Sequence, residues 1–99
     1  MERPLKAYSF YQKLEHLPFV QGIFLFGSRA RGTHRPKSDV DLAISCPEAT
    51  ELDWLKVVEI IDEADTLIKI DCVRLDALTE NDPFQQNILK EAVSLYERR

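Results

Sequence analysis

Phe26-Gly27-Ser28-Arg29-Ala30-Arg31-Gly32, followed after a short loop by Ser38-Asp39-Val40-Asp41-Leu42, is the stretch on which the reading of this 99-residue chain turns. Just ahead of it, Ile23-Phe24-Leu25-Phe26 is an apolar run after Gly22, the pattern of a buried strand. Gly27-Ser28 ends that strand, and Ser28 is placed to cap a short helix over residues 29–31. Turn chemistry through residues 32–36 makes a loop. Residues 39–44 then alternate: Val40, Leu42 and Ile44 face one way, Asp39, Asp41 and Ala43 the other, as in a half-buried strand.

Working outward, Ala7, Phe10, Tyr11, Leu14 and Leu17 recur at helical spacing before Pro18, which predicts a first helix. Beyond Pro47, Thr50 caps a second long helix, with Asp53 as an imperfect capping box. Leu55, Val58 and Ile61, with Trp54 beside them, are its expected apolar face. Residues 67–73 alternate again, Ile68, Ile70 and Cys72 against Lys69 and Asp71, and predict a further strand. Asp82-Pro83 is a cap and first-turn signal for a last helix carrying Phe84, Ile88 and Leu89. Val93, Leu95 and Tyr96 either extend that helix or form a final strand. The alternation argues an α/β (α+β) fold, a small mixed sheet with helices packed mainly on one face. The strand faces bearing Asp39, Asp41 and Asp71 are expected on the uncovered side.

Length, and the absence of repeats, linkers and low-complexity tracts, predict one domain over residues 1–99. No apolar run approaches the ~20 residues of a membrane span, and the N-terminus has no signal-like segment, so a cytoplasmic location is expected. Cys46 and Cys72 match no metal or redox spacing and read as small core residues of a reducing compartment. His16 and His34 have no metal-ligand spacing either. The net charge of −4 argues against direct nucleic-acid binding. Arg29, Arg31, Arg35 and Lys37, with no acid among them, make a local basic loop suited to an anion.

The chemistry converges on the same stretch. Carboxylates at i and i+2 of a strand share a face, roughly 6–7 Å apart along the backbone, and repel each other. A hard divalent ion such as Mg²⁺ compensates them through oxygen ligands. Asp71, on a strand able to lie alongside, is the natural third carboxylate. Three such groups can hold two ions roughly 3.5–4 Å apart for in-line phosphoryl or nucleotidyl displacement. The glycine of Gly27-Ser28 lets backbone approach a phosphate, the helix start offers unpaired N–H groups, and the Ser28 hydroxyl adds a hydrogen bond. Each piece alone is common, as a strand-end pair of acids, an ordinary turn or surface arginines. Their conjunction at this spacing points to a nucleotidyl-transfer site.

Gly27-Ser28 through Asp39-Val40-Asp41 resembles the signature of the DNA polymerase β-like nucleotidyltransferase superfamily. The stretch 25–32 resembles its minimal branch, the MNT proteins (MntA-like antitoxins) paired with HEPN-domain partners in prokaryotic toxin–antitoxin modules. The Asp71 strand and residues 88–97 fit as well. The resemblance implies that Asp39 and Asp41 ligate two Mg²⁺ (or Mn²⁺) ions, and that Asp71 completes the catalytic ion's shell and helps activate the acceptor hydroxyl. It implies that Gly27 and Ser28 hold the β- and γ-phosphates of ATP, and that Arg29 and Arg31 serve either the phosphates or the partner. The implied activity is transfer of AMP from ATP to a hydroxyl, a tyrosine, of a HEPN toxin. Two other readings stand beside it: an antitoxin that neutralises by binding while merely holding nucleotide, and a small-molecule nucleotidyltransferase. The 99 residues hold no further domain for an acceptor, which counts against the last.

Overall fold

A computed structural model describes residues 4–33, 35, 38–78 and 81–98. Three of the loop residues read above, His34, Pro36 and Lys37, lie outside that set.

A 3-10 turn at Leu5–Ala7 leads into helix α1 (Ser9–His16), strand β1 (Gly22–Phe26) and the one-turn helix α2 (Ser28–Arg31). Strand β2 (Val40–Ser45), helix α3 (Glu51–Asp62) and strand β3 (Ile70–Arg74) follow. A second 3-10 turn at Leu75–Ala77, helix α4 (Pro83–Glu91) and strand β4 (Val93–Glu97) complete the order. The four strands form one mixed sheet in the order β3-β2-β1-β4, with β2 and β3 parallel and the other neighbours antiparallel. This is the mixed α+β sheet expected, and the undecided C-terminal segment is a strand paired to β1. The third strand starts later than residue 67; Leu67 is fully exposed ahead of it.

The caps explain where the longer helices begin. The Thr50 hydroxyl accepts from the Asp53 amide at 3.1 Å, and the Asp53 carboxylate accepts from the Thr50 amide at 3.0 Å. The box is therefore complete, each side chain satisfying an amide the first turn leaves unpaired. Asp82 caps α4 by accepting from the Phe84 amide at 2.8 Å, with Pro83 in the first turn.

The main core packs α1 and α3 on one face of the sheet: Phe10, Tyr11, Leu14 and Val57 against Ile23, Val40, Leu42 and Ile44. The Tyr11 hydroxyl donates to the Leu95 carbonyl at 3.2 Å and ties α1 to β4. The inward stripe of α3 differs from the expected one. Val57 is buried, Trp54, Ile60 and Ile61 pack against the core, and Leu55 and Val58 face outward with Leu52. Both stripes are apolar, so helical spacing alone does not choose between them; the position of the sheet does.

The opposite face is not uncovered. A second, smaller core there joins Ala43, Leu75 and Ile88 with Phe24, Phe26, Val73 and Ala92. Helix α4 and the second 3-10 turn thus cover part of the face that carries the acids, and β2 is buried on both sides rather than half-buried. Cys46 and Cys72 are free thiols, and burial pushes them up to about 11 and about 12, leaving both protonated at neutral pH. Among the described residues no helix is long and apolar enough to cross a membrane.

Candidate active site

Strand directions bring the expected site residues to one edge of the sheet. The chain leaves β1 at Phe26, and antiparallel β2 and its parallel neighbour β3 both begin beside that exit. Phe26 is paired with Asp41, and Asp41 with Asp71. One row of residues across three strands therefore points to one face, with neighbouring strands about 4.8 Å apart. Asp39, just ahead of β2, is exposed at the same end.

Gly27 ties the turn to this row. Its backbone is in the left-handed region (φ 74°), which favours glycine, and a Cβ there would collide with the Asp41 carboxylate Oδ2. Gly-Ser turn and acidic strand are thus fitted to each other. Ser28 is the first residue of α2 and Gly27 its N-cap, with no side-chain hydrogen bond at the cap. This corrects the expected capping role of Ser28: it is the first residue inside the helix, and the glycine before it takes the N-cap position, its carbonyl accepting from the Ala30 and Arg31 amides.

The carboxylates repel one another. Burial, then the charges of Asp71 and Asp39, hold the Asp41 carboxyl above its ordinary value, against the pull of Arg31 and Lys69. Lys69 reaches Asp71 at 3.7 Å, an exposed pair that compensates weakly. Among the described residues no three His, Cys, Asp or Glu side chains are drawn together as a closed metal site. Splayed oxygen donors under mutual repulsion are nonetheless the chemistry a divalent cation suits, and the donor set fits Mg²⁺ or Mn²⁺.

The two arginines are engaged in structural contacts. Arg29 grips the Ser38 carbonyl through Nε at 3.2 Å and Nη2 at 2.8 Å, which fixes the loop entering Asp39. Arg31 forms a 3.0 Å ion pair with Glu91 at the end of α4 and adds positive potential at Asp41. Spacing did not reveal that α4 walls the site. Phe84 packs edge-on against Phe26, centroids 5.9 Å apart, beside the row of acids. The only hint in the sequence was the apolar Phe84 one residue past Pro83.

Residues 10–99 match the family model described as polymerase β, nucleotidyltransferase, and the chain belongs to that family. No curated protein sequence matches it significantly. Among solved structures it is similar to a toxin–antitoxin crystallised with AMP-PNP (TM-score 0.62, 24% identity, 91% of this chain and 73% of that one). A variant of the MntA–HpeT toxin–antitoxin is alike (TM-score 0.61, 24% identity, 89% and 70%). So is a tri-AMPylated Shewanella oneidensis HEPN toxin in complex with MNT antitoxin (TM-score 0.53, 21% identity, 88% and 66%). At such identities the likeness is one of fold: the polymerase β-like nucleotidyltransferase fold.

Proposed function

We propose that the chain transfers AMP from ATP to a tyrosine hydroxyl of a HEPN toxin partner and thereby acts as its antitoxin. The observation that carries this reading is the fit of Gly27 against Asp41, in line with Asp71. It sets the glycine backbone of the Gly27-Ser28 turn directly against the row of acids. The neighbours crystallised with AMP-PNP and as an AMPylated toxin support the same substrate and partner.

On this reading the Gly27-Ser28 turn and the Ser28 hydroxyl bind the β- and γ-phosphates. Asp39, Asp41 and Asp71 hold two divalent ions, Mg²⁺ or Mn²⁺, which when bound neutralise the acids and polarise the α-phosphate. Asp71 orients the acceptor hydroxyl and takes its proton. The bond formed joins the acceptor oxygen to the α-phosphorus; the bond broken releases pyrophosphate. Arg31 offsets charge near the phosphates, and Arg29 keeps Asp39 in register through Ser38.

Intact mass spectrometry tests the proposal with a HEPN toxin, the product of a neighbouring reading frame being the first choice. With ATP and Mg²⁺ the toxin's mass should rise by one or more AMP units and its ribonuclease activity should fall. Asp39→Ala/Asp41→Ala should bind the toxin without modifying it. If that variant protects cells as well as the unaltered chain does, neutralisation is by contact and the transfer reading fails.

A further inference from the structure

Helix α4 covers part of the acid-bearing face, and two of its side chains reach residues around the exit of β1. Phe84 packs edge-on against Phe26, the last residue of β1, with ring centroids 5.9 Å apart and the planes at 86°. Glu91 pairs with Arg31 of α2 at 3.0 Å. Two turns of helix separate Phe84 from Glu91, so they share one side of α4. That side therefore runs beside α2 and the row of Phe26, Asp41 and Asp71, with about 10 Å of helix between its two contacts.

Among the exposed large apolar side chains of the described residues, Phe84 is the one aromatic ring, and it is 44% exposed. Ile88, one turn further along, is buried in the second core. Leaving so large a ring partly in water forgoes free energy that its burial would supply. Its position is nonetheless fixed. The Asp82 carboxylate accepts from the Phe84 amide at 2.8 Å, and Pro83 sets the first turn. In a perpendicular pair Phe26 can occupy only one face of the Phe84 ring, which leaves the other open.

We infer that this open face is the platform on which the base of the bound nucleotide stacks. That role rests on the transfer reading and adds the base to it. The phosphates belong at the Gly27-Ser28 turn and Arg31, which is the Glu91 end of the α4 side. The nucleoside then extends along the helix, and Phe84 stands at the other end, within a nucleotide's own length. Phe26 backs the ring from the sheet, so the platform is formed before the ligand arrives. A phenyl ring meets a base through its π-face, so the ligand is held as a nucleotide and not as a triphosphate alone. Loss of one base–aromatic stack corresponds to about five- to hundredfold in affinity.

The probes are ATP and ribose 5-triphosphate, which has the sugar and phosphates without the base, titrated with Mg²⁺ into the full chain. ATP should bind about tenfold or more tighter than ribose 5-triphosphate. Phe84→Leu keeps an apolar side chain against Phe26; it should bring ATP close to the level of ribose 5-triphosphate and leave the latter unchanged. Phe84→Trp should restore the difference. In nuclear magnetic resonance spectra of the unaltered chain, ATP should shift the Phe84 ring protons upfield and ribose 5-triphosphate should not, a readout independent of any substitution. Equal binding of the two ligands, or Phe84 ring protons unmoved by ATP, overturns the inference. So does a Phe84→Leu variant that weakens both ligands alike, which would make the ring a packing element of α4. If ribose 5-triphosphate binds and the base adds nothing, the phosphate site stands and the platform fails; if neither ligand binds, the transfer reading itself fails.

Discussion

The parallel pair β2 and β3 carries acids at both ends, and the two ends treat them in opposite ways. At the start of the strands Asp41 faces Asp71 and Asp39, and burial with like charge holds its carboxyl above the ordinary value. At the far end Asp76 is also partly buried, which raises it, but the Cys46 amide and the Arg74 guanidinium outweigh burial and hold it below that value. The contacts there are short: Cys46 N–H to Oδ1 at 2.7 Å, and Arg74 Nε to Oδ2 at 2.8 Å. Arg74 further donates through Nη2 to the carbonyls of Cys46 and Ala49, at 3.0 and 2.8 Å. One end is a clamp with each charge matched, tying β3 to the loop before α3. The other end is kept short of counter-charge. A carboxylate that costs the apoprotein stability persists where a ligand completes it.

The largest contrast is expected between Asp41→Asn and Asp76→Ala in activity. Asp41→Asn should reduce transfer by about a hundredfold or more, as loss of a transition-state electrostatic contact does, without lowering the melting temperature. The pH dependence sharpens the point. A folded-state value raised above the unfolded one, ~3.9 for Asp, means the native state holds the proton longer. Its contribution to stability is present in acid and is lost as pH rises through the folded value. At neutral pH Asp41→Asn should therefore melt at or above the unaltered chain, and that advantage should vanish in acid. Thermal melts across pH beside a turnover assay check both; an unfolded or fully active variant contradicts the assignment.

Asp76→Ala should do the reverse. Removing the acceptor of the Cys46 amide and the partner of Arg74 should lower stability by about 1–3 kcal/mol and leave ATP affinity unchanged. Because the folded value of Asp76 is depressed, its contribution is present above the unfolded value and lost as pH falls through the folded one. The deficit of Asp76→Ala should shrink accordingly in acid, opposite in sign to Asp41→Asn. Denaturant midpoints measured across pH, with calorimetric titration of ATP, separate the two ends.

The smallest effect is expected at Ser28, where alanine removes one hydrogen bond and should weaken ATP by about 1–3 kcal/mol without changing stability. Gly27→Val sharpens this, since its side chain meets both a left-handed backbone and the Asp41 carboxylate. It should lower stability as well as affinity. Calorimetry that shows unchanged affinity in both variants would reduce Gly27-Ser28 to an ordinary turn.

Much of the acidic edge was legible because its signals are local. A glycine and a serine after an apolar run, and acids alternating with Val40 and Leu42, record strand ends and faces within a few residues. The parity of β2 and β3, the caps at Thr50 and Asp82 and the family resemblance all follow from such short-range pattern. The Arg74–Asp76 clamp was not legible. Its partners are Cys46 and Ala49, some 25–28 residues away in the chain, and no periodicity marks a charge that will be satisfied by distant carbonyls.

By itself, then, the sequence determined the types of the main elements up to α4, an apolar periodicity in α3 without its true inward stripe, and the candidate residues for phosphate and metal chemistry. These depend on side-chain size, charge and spacing along one element. Only the tertiary structure decided which stripe of α3 is core, that α4 covers part of the acid face, that β4 pairs with β1, and that Gly27 abuts Asp41. Those outcomes rest on which surfaces meet when strands order themselves β3-β2-β1-β4. Burial is a property of the pair of surfaces in contact, and a single stretch of chain carries only one member of each pair.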